Sequence, residues 1–300
     1  MKKFSKILLY DFSRDEELIS KLEEYTDNIQ LIQASDDYQD VLKKEDFVGV
    51  DCFVVNVFDN FHDEFFHEGE LKVVFTMFTD NSMFNLELLQ EQGIKIYNIT
   101  WQAAQWVCEF AVSVILEKIK MTSQTQQFSK DGKTWFQGFK GTEIFEKQVW
   151  VIWYGSLWKH FSQIMKWFWA WVKYFSRSSN DTSLESIFSD SDIIFVSHPL
   201  SDWNSEYGKG LLNQCKQKAF ILNPSRIECF NISDLYDFLV ERTDCIFWQD
   251  ESVTEEWSKW KEKFLTLDNF ILTPHCGFFT SENPTRVKKL TLKNIENYES

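Results

Sequence analysis

Short apolar runs alternate with segments of helical period along most of the chain. Ile7–Asp11, Ile29–Gln33, Val48–Val57, Leu71–Phe75 and Ile94–Ile99 read as strands, with helical patterns at Glu16–Tyr25 and Leu86–Gln92 between them. A long amphipathic helix, carrying Glu109, is expected over Gln102–Met121, and a polar segment, Thr122–Lys147, follows it. The alternation then resumes with strand Val149–Trp153, helix Ser156–Phe168, strand Val172–Phe175, strand Ile193–Val196, helix Glu206–Gln217, strand Ala219–Asn223, helix Ser233–Arg242 and strand Cys245–Gln249. Glu251–Asp268 reads as a loop rich in Glu and Lys, Phe270–Thr273 is apolar, and a last helix is expected after Thr280. Such alternation predicts an α/β protein with mainly parallel sheets, arranged as two doubly wound domains.

The stretch QVWVIWYGSLWKHFSQIMKWFWAWVKYFSR, Gln148 to Arg177, has the strand, turn, helix, strand order that opens a dinucleotide-binding domain. Its phosphate-binding turn falls at Trp153 to Trp158. A G-x-G-x-x-G fingerprint needs glycine at 153, 155 and 158, and the chain offers Trp153, Gly155 and Trp158. The first glycine makes the tight turn, the second admits the pyrophosphate, and the third lets helix and strand pack closely. An indole does none of these. Trp150, Trp153, Trp158, Trp167, Trp169 and Trp171 crowd the stretch, and Trp169 follows the helix where a left-handed glycine cap is expected.

Composition repeats the imbalance: 13 tryptophans against 10 glycines in 300 residues, whose combined share is close to the roughly 7% of glycine alone in ordinary proteins. The expectation is that most or all of these tryptophans are glycines encoded by UGA and written as tryptophan. The plain alternative is a genuine, Trp-rich, degenerate nucleotide fold.

A formal charge of −15 and a pI near 4.8 argue against nucleic acid as a partner, because that affinity comes from Lys and Arg neutralising phosphates. Asp11 and Arg14 interrupt the first apolar run before a signal-peptide core forms, and no stretch reaches the roughly 18 apolar residues of a membrane span. A cytoplasmic location is expected. Cys52, Cys108, Cys215, Cys229, Cys245 and Cys276 form no C-x-x-C pair, so neither a zinc site nor a disulfide framework is indicated.

Four features could carry chemistry. Arg226, in ILNPSRIE, follows a strand at the end where ligands bind in open α/β sheets, and a guanidinium grips a carboxylate with two parallel bonds; a surface arginine is the plain alternative. His275, in ILTPHCG, sits where a strand leaves the domain. Glu255 lies in the acidic loop beyond Asp250, and a carboxylate bonded to imidazole favours the charged form, giving a proton donor near neutral pH; Glu251 or Glu256 could serve instead. Ser176-Arg177 end the second strand, where an NAD fold places an acid on the ribose 2′-hydroxyl. Loss of that acid beside an arginine predicts tolerance of a 2′-phosphate. His62, Asp63, Glu64 and His67 lack metal-site spacing and read as a solvated face, so no metal is expected.

Together these features resemble the D-isomer-specific 2-hydroxyacid dehydrogenases, in the D-lactate dehydrogenase-like branch. The resemblance runs through ILLYDFSRDEE, EQGIKIYNIT, VCEFAVSVIL, the fingerprint stretch, SDIIFVSHPL, AFILNPSR and NFILTPHCGFFT. It implies a flavodoxin-like substrate domain from residues 1–99 with 273–300, a Rossmann NAD(P)-binding domain over 100–272, and an active site in the cleft between them. It also implies a homodimer and NAD or NADP as cofactor, with a 2-keto or 2-hydroxy acid as substrate. By the same resemblance Arg226 binds substrate, His275 is the acid/base, Glu255 is its partner, and Tyr154, Gly155, Ser156, Leu157, Ser176, Arg177, Pro199 and Asp250 line the cofactor, Asp250 at the nicotinamide end. Two departures stand out. Ile227 follows Arg226 where the family has glycine, and Asp80 replaces the glycine of the substrate-carboxylate loop, where an acid would repel a carboxylate. If the tryptophans are genuine, the alternative is a catalytically inactive nucleotide-binding or regulatory dimer of the same fold.

Overall fold

The computed structural model describes residues 2–299 apart from 13–14, 35–40, 57–60, 68, 80, 100–102, 134–139, 154, 177–181, 198–206 and 251–254. The chain divides into two compact units, Met1–Ala103 with Thr280–Ser300, and Ala104–Phe279.

The first unit is a parallel sheet of β1 (Ile7–Tyr10), β2 (Ile29–Ile32), β3 (Cys52–Val55), β4 (Val73–Thr76) and β5 (Lys95–Tyr97), in the order β2-β1-β3-β4-β5. This is the flavodoxin-like order. Every residue of β1, β3 and β4 is buried, as continuous apolar runs covered on both faces must be. Helices α1 (Glu16–Leu22) and α2 (Leu86–Glu91) lie between strands, each N-capped by its own acid or amide: Asp15 accepts from the Leu18 N–H and Asn85 from that of Leu88. The Lys288 ammonium, on the last helix α10 (Asn283–Asn297), reaches the Asp15 carboxylate at 2.6 Å and so ties that helix to α1.

The second unit holds β6 (Gln148–Ile152), β7 (Trp171–Phe175), β8 (Ile193–Val196), β9 (Phe220–Asn223), β10 (Ile246–Asp250) and β11 (Phe270–Thr273), all parallel, in the order β11-β10-β9-β8-β6-β7. Alternate residues of β6 feed opposite faces: Trp150 and Ile152 join one core, Val149 and Val151 the other. Its helices are α3 (Ala103–Lys120), α4 (Thr122–Lys130), α5 (Ser156–Trp167), α6 (Leu184–Asp190), α7 (Lys209–Leu212), α8 (Ile232–Glu241) and α9 (Glu255–Phe264). Chain order reverses between β6 and β8, so the turn after β6 lies at the topological switch point, where such sheets bind ligands.

Several local expectations change. The polar segment after α3 contains α4, which buries no residue and so carries no apolar stripe to read. The acidic loop beyond Asp250 contains α9, held by Trp257 and Phe264 in the core. The helix expected over Glu206–Gln217 shrinks to α7, which begins after Gly208 and contains Gly210, and Ser183 caps a helix, α6, not anticipated at all. Among the described residues no helix is long and apolar enough to cross a membrane.

Candidate active site

Because the six strands run parallel, their C-terminal ends share one edge of the sheet, with neighbours roughly 4.8 Å apart. Arg226 leaves β9, Asp250 ends β10 and His275 leaves β11, so three adjacent strands bring them to that edge. The turn bearing Arg226 is stitched in place. The Asn223 amide donates to the Arg226 carbonyl at 3.1 Å and to Gln249 Oε1 at 2.7 Å, while Gln249 Nε2 donates to the Ser225 carbonyl at 2.8 Å. Ile227 is fully buried and opens a short 3₁₀ turn, so this turn needs no glycine after the arginine.

The loop bearing His275 is held by Asp250. That carboxylate is buried, and it accepts the Thr273 hydroxyl at 2.7 Å, the Cys276 N–H at 3.3 Å and the Gly277 N–H at 3.2 Å. His275 itself is left-handed at φ 51°, its N–H bonded to the Thr273 carbonyl at 2.9 Å, with its ring exposed beside Phe278. A Cβ on Gly277 would lie 3.0 Å from Asp250 Oδ2, so glycine is what permits this approach. Asp250, expected at the nicotinamide end of the cofactor, also holds the His275 loop. Asn223, Gln249 and Thr273 were not anticipated. Their signal was a polar residue at or near the end of an apolar strand, and the buried pair Asn223 and Gln249 has to be hydrogen-bonded.

Glu255 is the first residue of α9, and its side chain lies outside the described residues, as do all of Glu251, Tyr154, Arg177, Pro199 and Asp80. Glu256 is exposed. Ser156 and Leu157 open α5, and Ser176 is half-buried just past β7. Among the described residues no group of three or more His, Cys, Asp or Glu is placed to hold a metal. The six cysteines carry no disulfide, and burial pushes the Cys215 and Cys229 thiols up to about 12, as for inert core thiols.

The phosphate turn does not fit a dinucleotide as the chain is written. Trp153 follows β6 at φ 92°, a conformation that suits glycine. Its indole Cδ1 lies 3.3 Å from where a Cβ on Gly155 would be, so the indole takes up the space that a bare glycine would leave open for a pyrophosphate. Trp158, in the first turn of α5, stacks edge-on against Tyr174 of β7 with ring centres 5.0 Å apart, where close helix-to-strand packing calls for glycine.

Residues 112–277 match the family described as "D-isomer specific 2-hydroxyacid dehydrogenase, NAD binding domain". A 2-hydroxyacid dehydrogenase homologue of Bacillus subtilis (strain 168) is 27% identical over 64% of this chain and 60% of its own length. A "D-2-hydroxyacid dehydrogenase (NAD(+))" of Clostridioides difficile is 24% identical over 92% of this chain and 91% of that protein. Among solved structures, an acyclic imino acid reductase in complex with NADPH and D-Arg superposes with a TM-score of 0.81 at 19% identity, covering 98% of this chain and 96% of the other.

Proposed function

Because the chain belongs to the D-isomer specific 2-hydroxyacid dehydrogenase family, whose NAD binding domain it carries, we propose that it interconverts a 2-keto acid and the matching D-2-hydroxy acid. With glycine at 153 and 158, the turn after β6 would hold NAD or NADP, which would supply or accept the hydride. The observation that carries this reading is the delivery of Arg226 and His275 by β9 and β11 to one sheet edge, on either side of the Asp250 strand. Arg226 holds the substrate carboxylate through its planar fork and polarises the C2 carbonyl. His275 gives a proton to the C2 oxygen on reduction and takes it back on oxidation. Glu255, at the head of α9, orients the imidazole, and Asp250 fixes the loop from which that imidazole projects.

The finer reading follows the sequence features. The opening ILLYDFSRDEE supports the D-lactate dehydrogenase-like branch, acting as a cytoplasmic homodimer, with a substrate domain from 1–99 and 273–300 and a dinucleotide domain over 100–272. Tyr154, Gly155, Ser156, Leu157 and Pro199 line the cofactor, and Ser176 with Arg177 makes NADPH acceptable beside NADH, since a serine does not repel a 2′-phosphate. The test uses a protein with glycine at 153, 158 and 169. In that background His275→Ala and Arg226→Ala each lower kcat/KM by about 10²–10³-fold while dinucleotide binding persists. Full activity in either variant refutes the assignment.

A further inference from the structure

Among the described residues, three helices close with the same pair of backbone bonds. After α2, the Gly93 N–H donates to the Gln90 carbonyl at 3.1 Å and the Ile94 N–H to that of Leu89 at 2.8 Å. After α4, Gly132 bonds Ser129 at 3.0 Å and Lys133 bonds Phe128 at 3.2 Å. After α5, Trp169 bonds Lys166 at 2.9 Å and Ala170 bonds Met165 at 3.2 Å. The pivot residue is left-handed each time, with φ of 70° at Gly93, 74° at Gly132 and 56° at Trp169. Glycine is the usual pivot because a side chain there crowds its own backbone. The chain obeys this rule twice and then sets an indole in the third pivot, where 72% exposure offers little burial in return.

Trp153 departs further. Its φ of 92° lies outside the 51° to 67° spanned by the other described non-glycine residues with positive φ. The two tryptophans that α9 carries behave in the opposite way. Trp257 is 1% exposed, with ring centres 5.4 Å from Phe264 and 5.9 Å from Phe270. Trp260 packs 5.8 Å from the Tyr236 ring, and the Lys263 ammonium sits 4.3 Å over its face. Both have helical backbone, where glycine would weaken the helix and empty part of the core.

We infer that the protein made by its own source carries glycine at 153, 158 and 169 and tryptophan at 257 and 260, the first set encoded by UGA read as glycine and the second by UGG. The tryptophans are therefore of two kinds, and backbone geometry separates 153 and 169 from 257 and 260. Position 158 joins the first set through the fingerprint it completes with 153 and Gly155. The residue assignment stands on geometry and spacing. Its consequence, that the glycines open a pyrophosphate cradle at the N-terminus of α5, rests on the proposed function.

The codons of the gene and tandem mass spectrometry of the native protein test the assignment without any activity. Trypsin releases Gln148–Lys159, Trp167–Lys173 and Thr243–Lys259 as separate peptides, which carry positions 153 and 158, 169, and 257. Glycine fragments at 153, 158 and 169 with tryptophan at 257, matched by UGA and UGG codons, are expected. Tryptophan at any of the first three, or glycine at 257 or 260, overturns the inference. Calorimetric titration with NADH then compares the chain as written with one carrying glycine at all three positions. Binding to the glycine protein and its loss in the tryptophan protein are expected. Glycine-containing native peptides with no NADH binding by the glycine protein would leave the residue assignment intact and overturn the proposed function.

Discussion

If Trp169 occupies a glycine position, replacing it by glycine and by alanine should give different stabilities, in an order opposite to the usual one. Both substitutions remove the same indole, so the lost side-chain contacts cancel between them. What differs is one Cβ at φ 56°. A left-handed conformation costs an L-residue about 1–2 kcal/mol, while the greater freedom of glycine in the unfolded chain takes back about 0.4–1 kcal/mol. Trp169→Gly should therefore be more stable than Trp169→Ala by roughly 0.5–1 kcal/mol. At Trp260, in the middle of α9, the order should invert: alanine is favoured over glycine by about 1 kcal/mol in a helix interior. For a unit of this size 1 kcal/mol moves the midpoint by about 2–4 °C, within reach of calorimetry or of urea titration followed by circular dichroism. Alanine equal to or better than glycine at 169 would show that no glycine-requiring backbone exists there, and the assignment of that position would fall.

Two further outcomes test other parts of the account. Asp250→Asn keeps the shape of the side chain but removes an acceptor from the His275 loop, so in the glycine-carrying protein kcat should fall by about 10²-fold, the effect of a displaced catalytic group, with the dissociation constant for NADH unchanged; weakened NADH binding would place Asp250 on the nicotinamide instead. The Arg242 guanidinium, bonded to Asp244 at 2.9 Å, holds that carboxyl down at about 2 from its usual 3.8. The stabilisation is present above the unfolded value and disappears as pH falls through the folded one. Asp244→Asn should thus cost on the order of 1 kcal/mol at neutral pH, after discounting for solvent screening, and progressively less as pH falls toward and below the folded value; a penalty that does not change with pH would exclude the pair as its source.

The strands were legible because a parallel strand covered on both faces leaves an unbroken apolar run, as in IIFV at β8 and FILN at β9. Of the four helices missed or curtailed, three have identifiable reasons. Helix α4 buries nothing and writes no stripe, α9 hides its contacts with the core behind a run of Glu and Lys, and glycines at 208 and 210 limit α7. Arg226 and His275 could be picked out because arginine and histidine are scarce and both follow strand ends. The Asp250 clamp could not, since its three donors are a hydroxyl and two backbone N–H groups brought together only by the pairing of β10 with β11. Trp153 and Trp169, which stand where the fingerprint and a helix cap call for glycine, both have positive φ in the fold.

The central claim is stereospecific reduction of a 2-keto acid. The most direct measurement follows oxidation of NADH and of NADPH by the protein carrying glycine at 153, 158 and 169 across a panel of 2-keto acids, with chiral chromatography of the product. Turnover of at least one 2-keto acid with both dinucleotides accepted, formation of the D-2-hydroxy acid, and no turnover after His275→Ala are expected. An L product, or failure to reduce any 2-keto acid although NADH binds, would contradict it.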